Sequence, residues 1–196
     1  MFTSWGTHRL TLGALVGALA AAALVYLISM AQGGMTPLRL VLSGVVLSSA
    51  FSALASFLVF RSPDPRAAQS VLFWMLGSVA GATWDSLWVA ALVTVVIAVL
   101  MIAFSGWLDA LAAGTDVARS LGIPDTRVRK ALFVGNSVLV GVLVAVSGGI
   151  GFVGLVIPHM ARLLVGASHR SMLPIAAAVG SLFLLWVDVG ARVIAA

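Results

Sequence analysis

The feature that most constrains this chain is an uncharged run from Ala131 to Ala161. A single helix needs only ~20 apolar residues to cross a bilayer, so this run is too long for one span. It contains Gly148, Gly149 and Gly151, which are placed to interrupt a helix. In lipid, the backbone groups freed by such a break survive only inside protein or beside a water-filled cavity. The run therefore predicts a multi-span transport protein with one broken helix.

The composition also indicates an integral membrane protein. Of 196 residues, 62% are hydrophobic and only 9% are charged, whereas soluble domains carry about 25% charged residues. Eleven Lys and Arg residues against six acidic ones give a net charge of +5. The basic residues lie mostly between apolar runs and lack the interleaved aromatic residues of a nucleic-acid surface, so nucleic acid is excluded as a partner. The chain has no cysteine, which excludes disulfides and thiolate metal sites.

The apolar runs predict an all-α integral membrane protein, a polytopic helical bundle with about six transmembrane spans and short interfacial and coupling helices. The uncharged stretch 67–84 is either a span or a short interfacial helix that leads into the next span. The predicted spans are 10–31, 37–60, 86–104, 131–146, the broken segment 148–165, and 172–193.

The segment from Ser105 to Lys130 is the only sizeable hydrophilic part of the chain. Thr115 is predicted to cap a short helix that starts at Asp116, and Gly122 is placed to close that helix after Leu121. Another helix follows and continues into the membrane. The segment is therefore predicted to consist of short helices and not of flexible linker.

The basic residues predict an orientation in which this hydrophilic segment is cytoplasmic. Seven basic residues then lie inside and four outside, in the direction of the positive-inside rule. The inside set is Arg39, Arg119, Arg127, Arg129, Lys130, Arg162 and Arg170, and the outside set is Arg9, Arg61, Arg66 and Arg192.

Candidate chemical groups are few. His8, His159 and His169 lie in different segments with no i, i+4 pair and no carboxylate near them in the sequence. Neither a metal site nor catalysis is predicted, and no cofactor is expected. Asp188 and Arg192 are four residues apart in the favourable order for a helical ion pair. Such a pair either marks the membrane edge or has a functional role.

The residues alone leave the energy source open. A secondary carrier needs ionisable residues near the bilayer midplane, and only Asp85 and Asp188, each near the end of a span, are candidates. An energy source outside the chain fits better, with the hydrophilic segment as the place where a soluble partner acts. An ion-coupled carrier and a non-functional membrane fragment are the alternatives.

Five stretches carry a further pattern. They are PLRLVLSGV at 37–45, FWMLGS at 73–78 followed by Trp84, ARSLG at 118–122, GGIGFVGLVIPHMARLLVG at 148–166, and His169-Arg170 with Leu173-Pro174 and Asp188 to Arg192. These stretches resemble the motifs of the FecCD family, the membrane permeases of ABC importers for iron-siderophores, haem and cobalamin. Gly149 stands where the family usually has proline.

The resemblance implies a non-enzymatic permease in the bacterial cytoplasmic (inner) membrane. It implies three protein partners besides the lipid bilayer: a cytoplasmic ATPase subunit, an extracytoplasmic substrate-binding protein, and a second permease subunit that is identical or closely related. It also implies one transmembrane permease domain over residues 1–196, which is similar to about spans four to nine of a ten-span permease.

The resemblance further assigns roles to particular residues. Arg192 resembles an outer arginine that docks the binding protein, and Thr36 and Pro37 fall near the family's cytoplasmic gate. The loop that couples to the ATPase comprises Thr115, Asp116, Ala118, Arg119, Ser120, Leu121 and Gly122. The broken-helix motif comprises Gly149, Gly151, Gly154, Pro158, His159 and Arg162.

Overall fold

The described part of this computed structural model, residues 4–31, 33, 36–79 and 82–195, is almost entirely helical. Within those residues the chain forms nine helices and no strand. The helices are α1 (Ser4–Ala31), α2 (Pro37–Phe60), α3 (Pro65–Leu76), α4 (Trp84–Ala103), α5 (Ser105–Ala113), α6 (Thr115–Ser120), α7 (Asp125–Ser147), α8 (Val153–Val165) and α9 (His169–Ala195). The predicted all-α class is confirmed.

The start of α2 follows from its first residues. Thr36 has an extended backbone, and its hydroxyl accepts a hydrogen bond from the backbone N–H of Arg39 at 3.4 Å. Pro37 occupies the first helical turn, where its missing N–H leaves no donor unsatisfied. The predicted start of the second span at Pro37 is confirmed.

The break after α7 also lies where the glycines predict it. The N–H of Gly148 donates to the Val144 carbonyl at 2.8 Å, and Gly148 then takes a φ of +70°. Glycine adopts such angles without the steric cost that a Cβ brings. Residues 148–152 are not helical, and α8 begins at Val153.

The predicted count of about six spans is not confirmed. Among the residues that the structure describes, α2, α7 and α9 qualify as membrane spans by length and apolarity, and α4 qualifies together with α5, to which it is bent by 64°. These described residues therefore contain three or four candidate spans. The 13 residues of α8 extend only about 20 Å, which is short of the ~30 Å hydrocarbon core. Helix α5 belongs to the hydrophilic segment and is bent away from α4.

The contacts divide the chain into two compact units. The first comprises residues 1–77 and 136–149. Within it α1 packs on α2, and α2 packs on α3. Gly141 of α7 is buried against α1, and a Cβ built there lies 3.0 Å from Ala18 Cβ and 3.2 Å from Leu15 Cδ1. The glycine therefore lets the two helices approach closely.

The second unit comprises residues 78–135 and 150–196. Its largest helix–helix contact joins α8 to α9, and α9 also packs on α4 and α5. A Cβ built at Gly180 of α9 lies 3.5 Å from Ile157 Cγ2 of α8. A small buried cluster forms where α5 meets α6.

Large apolar side chains cover the outside of both units. Examples are Leu58 and Val46 in the first unit and Leu155, Leu163 and Trp186 in the second, all of them exposed. Soluble monomers rarely expose contiguous apolar surface on this scale. In a bilayer the same side chains contact lipid, so the exposed surface agrees with the membrane class.

Candidate functional site

The short helix α6 ends in a Schellman motif. Gly122 takes a φ of +74°, and its N–H donates to the carbonyl of Arg119 at 2.9 Å. The next N–H, that of Ile123, donates to the carbonyl of Ala118 at 2.9 Å. This pair of bonds satisfies carbonyls that a helix end leaves open. The predicted closure of the helix by Gly122 after Leu121 is confirmed.

The same motif fixes α6 on α5. Ala118 is 0% exposed and packs with Ala110 and Ile123, and the partly buried Leu111 and Val128 complete the cluster. A contact between the residue after the C-terminal glycine and the helix interior usually accompanies a Schellman motif. Helices α5 and α6 and the start of α7 therefore share one small core. We call residues 105–130 the α5–α6 corner.

Two side-chain contacts join α6 to α7 in the corner. Arg119 Nε and Nη2 donate to the two carboxylate oxygens of Asp125 at 3.3 and 3.4 Å, and Arg129 donates to the Thr115 hydroxyl at 3.2 Å. The prediction that Thr115 caps a helix starting at Asp116 is wrong. Helix α6 begins at Thr115 itself, Gly114 holds the cap position, and no side-chain cap bond is made. The Thr115 hydroxyl accepts a bond from Arg129 instead.

The opposite face of α6 is open. Asp116, Val117 and Ser120 are exposed, and Leu121 is 65% exposed. The Ser120 hydroxyl donates to the Val117 carbonyl at 2.8 Å. The corner therefore presents an exposed apolar side chain beside an acidic one on a rigid support.

A carboxylate of the corner also holds the start of α9. Asp109 Oδ1 accepts from the backbone N–H of His169 at 2.9 Å, and Oδ2 accepts from the Ser168 hydroxyl at 3.3 Å. The ring Nδ1 of His169 contacts Oδ1 as well. The first N–H groups of a helix lack intrahelical partners, so Asp109 acts as an N-cap supplied from another helix. The backbone bond from His169 is the main reason that the pKa of the Asp109 carboxyl lies below its usual value.

This cap was missed by the sequence reasoning. Asp109 and His169 are 60 positions apart, and neither neighbourhood signals the other. The sequence showed His169 without a nearby carboxylate, and only the packing of α5 on α9 brings one to it.

Arg192 lies near the other end of α9. Its Nε donates to Asp188 Oδ2 at 2.8 Å, which confirms the predicted i, i+4 pair. The Arg192 side chain is well exposed, and the Asp188 side chain is partly buried. From His169 to Arg192 the helix covers about 35 Å at 1.5 Å per residue. Arg192 and the α5–α6 corner are therefore at opposite ends of α9.

The break at residues 148–152 is exposed after its first residue, Gly148, which is buried. Gly149, Gly151 and Phe152 are exposed, and Phe152 is the one non-glycine residue with positive φ, at 65°, within the described part of the chain. Phe152 is also 80% exposed. A bulky side chain with a positive φ is strained. Because the Phe152 side chain is exposed, its packing within the segment does not explain why it keeps this conformation.

The remaining broken-helix residues lie along α8. Gly154 and His159 are exposed, and Pro158 stands inside the helix, where it can donate no backbone bond. Arg162 Nε lies 3.4 Å from the Met172 sulfur of α9, a weak acceptor. In the described ranges, no three His, Asp or Glu side chains converge as metal ligands would.

The structure thus groups only some of the predicted site residues. Those of the coupling loop come together on α6 and its C-cap, in the second unit. Thr36 and Pro37 start α2, in the first unit. Arg192 and the α8 residues belong to the second unit but not to the corner.

A polytopic helical protein with apolar exposed faces, a broken helix and a rigid polar corner is a membrane permease by class. The whole chain, residues 1–196, matches the model of the FecCD transport family. The chain belongs to this family and is a multi-pass protein of the cytoplasmic membrane.

Individual relatives agree with the family. The chain is 37% identical over 179 residues to the cobalamin import system permease protein BtuC of Halobacterium salinarum, covering 91% of this chain and 48% of the relative. It is 36% identical over 190 residues to the iron(3+)-hydroxamate import system permease protein FhuG of Bacillus subtilis, covering 96% and 55%. The chain therefore spans about half the length of these curated relatives.

A solved structure supports the fold. It is described as an inward-facing conformation of a metal-chelate type ABC transporter, with a TM-score of 0.81 and 34% sequence identity. The match covers 94% of this chain and 63% of the solved one.

Proposed function

We propose that this chain forms part of the permease of an ABC importer that moves an iron-siderophore or a related metal chelate across the cytoplasmic membrane. The chain itself supplies no enzymatic step, and a separate cytoplasmic ATPase subunit drives the movement. Relatives named for iron(3+)-hydroxamate and cobalamin import support this class of cargo. A second permease subunit, identical or closely related, completes the pathway in this proposal.

The observation that carries the proposal is the construction of the α5–α6 corner. A shared core, a Schellman motif and two side-chain contacts fix α6 to its neighbours, while its other face stays exposed. A rigid helix transmits a displacement that a flexible loop would absorb. We therefore assign docking of the ATPase to the exposed face with Asp116, Ser120 and Leu121, and assign its support to Ala118, Arg119 and Gly122.

Three other regions receive roles in the same proposal. The Thr36–Pro37 start of α2 belongs to the cytoplasmic gate, where a capped helix end gives a fixed pivot. Residues 149–152 line the pathway, because exposed backbone in a membrane requires protein or water beside it. Arg192, exposed at the far end of α9 from the corner, docks the extracytoplasmic binding protein.

Cross-linking tests the docking face directly, because the chain contains no cysteine. We expect Ser120→Cys, in the assembled transporter, to form a disulfide with a cysteine placed in the docking groove of the ATPase, with a yield that changes with nucleotide. Ser62→Cys, in the loop that the orientation places outside, is the matched control and should give no such product.

Absence of the Ser120 cross-link in folded, membrane-inserted transporter would contradict docking at α6. Transport that proceeds without nucleotide and depends on Asp188 would instead identify an ion-coupled carrier.

Charge reversal tests the role of Arg192. We expect Arg192→Glu to weaken binding of the substrate-binding protein by about tenfold or more, since lost charge-assisted hydrogen bonds cost ~1.5–3 kcal/mol each. Its effect on unfolding should be small, because exposed ion pairs contribute only about 0.2–1 kcal/mol. The measurement is the affinity of the binding protein for the transporter in nanodiscs.

The exchanged pair, Asp188→Arg with Arg192→Asp, separates docking from helix stability. The exchange keeps one acid and one base four residues apart, so its melting temperature should stay near that of the unaltered chain. If the exchanged pair binds the substrate-binding protein normally, Arg192 has no docking role.

A further inference from the structure

An apolar cavity lies beside the α5–α6 corner. Its volume is about 290 Å³, and it is lined by α4, α5 and the first turns of α7, all within the second unit, and open on one side. Its walls are almost wholly apolar and include Ile97, Met101, Phe104, Trp107, Val128 and Leu132. A void lined in this way holds water poorly, so an apolar occupant is favoured.

The cavity lies where a membrane span leaves the bilayer. Helix α4 is strongly apolar, and the chain bends by 64° between α4 and α5. The rings of Phe104 and Trp107, whose centroids are 5.2 Å apart, stand at that bend and line the cavity. Tryptophan is enriched at the level of the lipid headgroups. At this depth the ends of lipid acyl chains and their headgroups are both within reach.

One cation borders the cavity on α7. Ala131 lines the wall, and the helical period places Arg127 one turn before it on the same side of the helix. The Arg127 side chain is exposed and forms no ion pair with a carboxylate among the residues that the structure describes. Lys130 is exposed as well, but the helical period places it on the side of α7 turned away from the lining residues. The neighbouring Arg129 differs from Arg127, because it donates to Thr115.

We propose that this cavity binds an acyl chain of an anionic phospholipid, whose phosphate is held by Arg127. Basic pockets between transmembrane helices on the cytoplasmic side are known to select anionic headgroups. The long stem of arginine lets its charge reach the headgroup level. A bound lipid would support the α4–α5 bend and hence the corner. This inference requires only that α4 crosses the membrane, so it stands or falls separately from docking of the ATPase.

The test uses the assembled transporter in nanodiscs of phosphatidylcholine or phosphatidylglycerol. A phosphatidylglycerol with a diazirine on its acyl chain is photolysed, and the labelled peptides are mapped. We expect labelling within residues 97–135. Arg127→Gln should lower phosphatidylglycerol retention, measured by native mass spectrometry, by roughly fivefold and leave phosphatidylcholine retention unchanged. Lys130→Gln removes the same charge from the side of α7 turned away from the cavity and should have little effect.

A second variant tests the cavity itself. Gly135 lines it, and a Cβ built there meets nothing within 4 Å, so Gly135→Phe should fill the space without breaking the helix. We expect this variant to lose acyl labelling of 97–135. Labelling that persists in Gly135→Phe, or an equal loss of both lipids from Arg127→Gln, would overturn the proposal. A cross-link from the cavity wall to another protein segment in place of lipid would also overturn it.

Discussion

Gly148→Ala is expected to unfold the first unit or to prevent the chain from accumulating in membranes. A Cβ built at Gly148 would overlap the Trp74 carbonyl oxygen and lie 3.1 Å from Gly77 Cα. Both neighbours are backbone atoms, so no side chain can move aside to make room. Gly148 also has a φ of +70°, which costs a residue with a Cβ about 1–2 kcal/mol. With ~1–3 kcal/mol for overpacking, we expect a total loss of roughly 2–5 kcal/mol.

Two other glycines separate these causes. Gly166 has a φ of +85° but open space around a built Cβ, so Gly166→Ala should cost only the conformational part. Gly151 has neither a positive φ nor a neighbour within 4 Å. Gly151→Ala should therefore be neutral or slightly stabilising, by about 0.4–1 kcal/mol, because it restricts the unfolded chain. Melting temperatures measured in detergent or nanodiscs rank the three alanine variants by stability.

Asparagine provides a further control, because it tolerates left-handed backbone but still carries a Cβ. Gly122→Asn should be nearly neutral, because Gly122 closes a Schellman motif and a Cβ built there meets nothing within 4 Å. Gly148→Asn should instead destabilise the chain as much as Gly148→Ala. A melting temperature within about 1 °C of the unaltered chain for either Gly148 variant would contradict the close contact of the α3 end with Gly148.

Local signals explain what the sequence predicted correctly. The start of α2 at Pro37, the end of α6 at Gly122 and the break at Gly148 each depend on one or two residues with special backbone chemistry. The Asp188–Arg192 pair depends only on helical spacing. These features are encoded within a few residues, so they were readable before any packing was known.

A competing donor explains the wrong cap. Thr115 has the chemistry of a cap, but Arg129 offers its hydroxyl a donor that the local sequence does not reveal. The count of about six spans is not confirmed, and the segment after α7 shows one reason: residues 148–152 of the uncharged run are not helical, so α8 is left with 13 residues. Hydropathy does not distinguish a short apolar helix from a crossing one until its ends are known.

The tertiary contact of Asp109 was the part that could not be predicted. It links residues 60 positions apart, and it depends on how α5 and α9 pack. The ATPase-docking, gate and binding-protein roles of the predicted site residues stay predictions that the experiments above address.

Asp109→Ala is expected to loosen the start of α9 and to detach it from the corner. The substitution removes the acceptor of the His169 backbone N–H and of the Ser168 hydroxyl. Loss of an N-cap acceptor costs about 0.5–2 kcal/mol. For a chain of this size that corresponds to a fall in melting temperature of roughly 1–8 °C. Hydrogen exchange should accelerate at the amides of residues 169–172 and stay unchanged near Arg192.

Asp109→Asn tests the charge, because the amide oxygen can still accept from His169. The pKa of the Asp109 carboxyl is lowered in the folded chain, so the carboxylate contributes stability above its unfolded pKa of about 3.9. That contribution is lost as the pH falls through the lower pKa of the folded state. The unaltered chain should therefore melt above Asp109→Asn at pH 7 and at pH 5, and the two should converge below about pH 4.

Asp116→Asn is the matched control, since Asp116 is an exposed carboxylate in the first turn of α6. It should change the melting temperature little at any pH and leave exchange at 169–172 unaltered. Equal effects of the Asp109 and Asp116 variants would show that net charge, and not the cap, stabilises this region. If only Asp109 variants free the start of α9, the corner and α9 are joined through one carboxylate. A displacement of α6 then has a defined route to the helix that carries Arg192 at its other end.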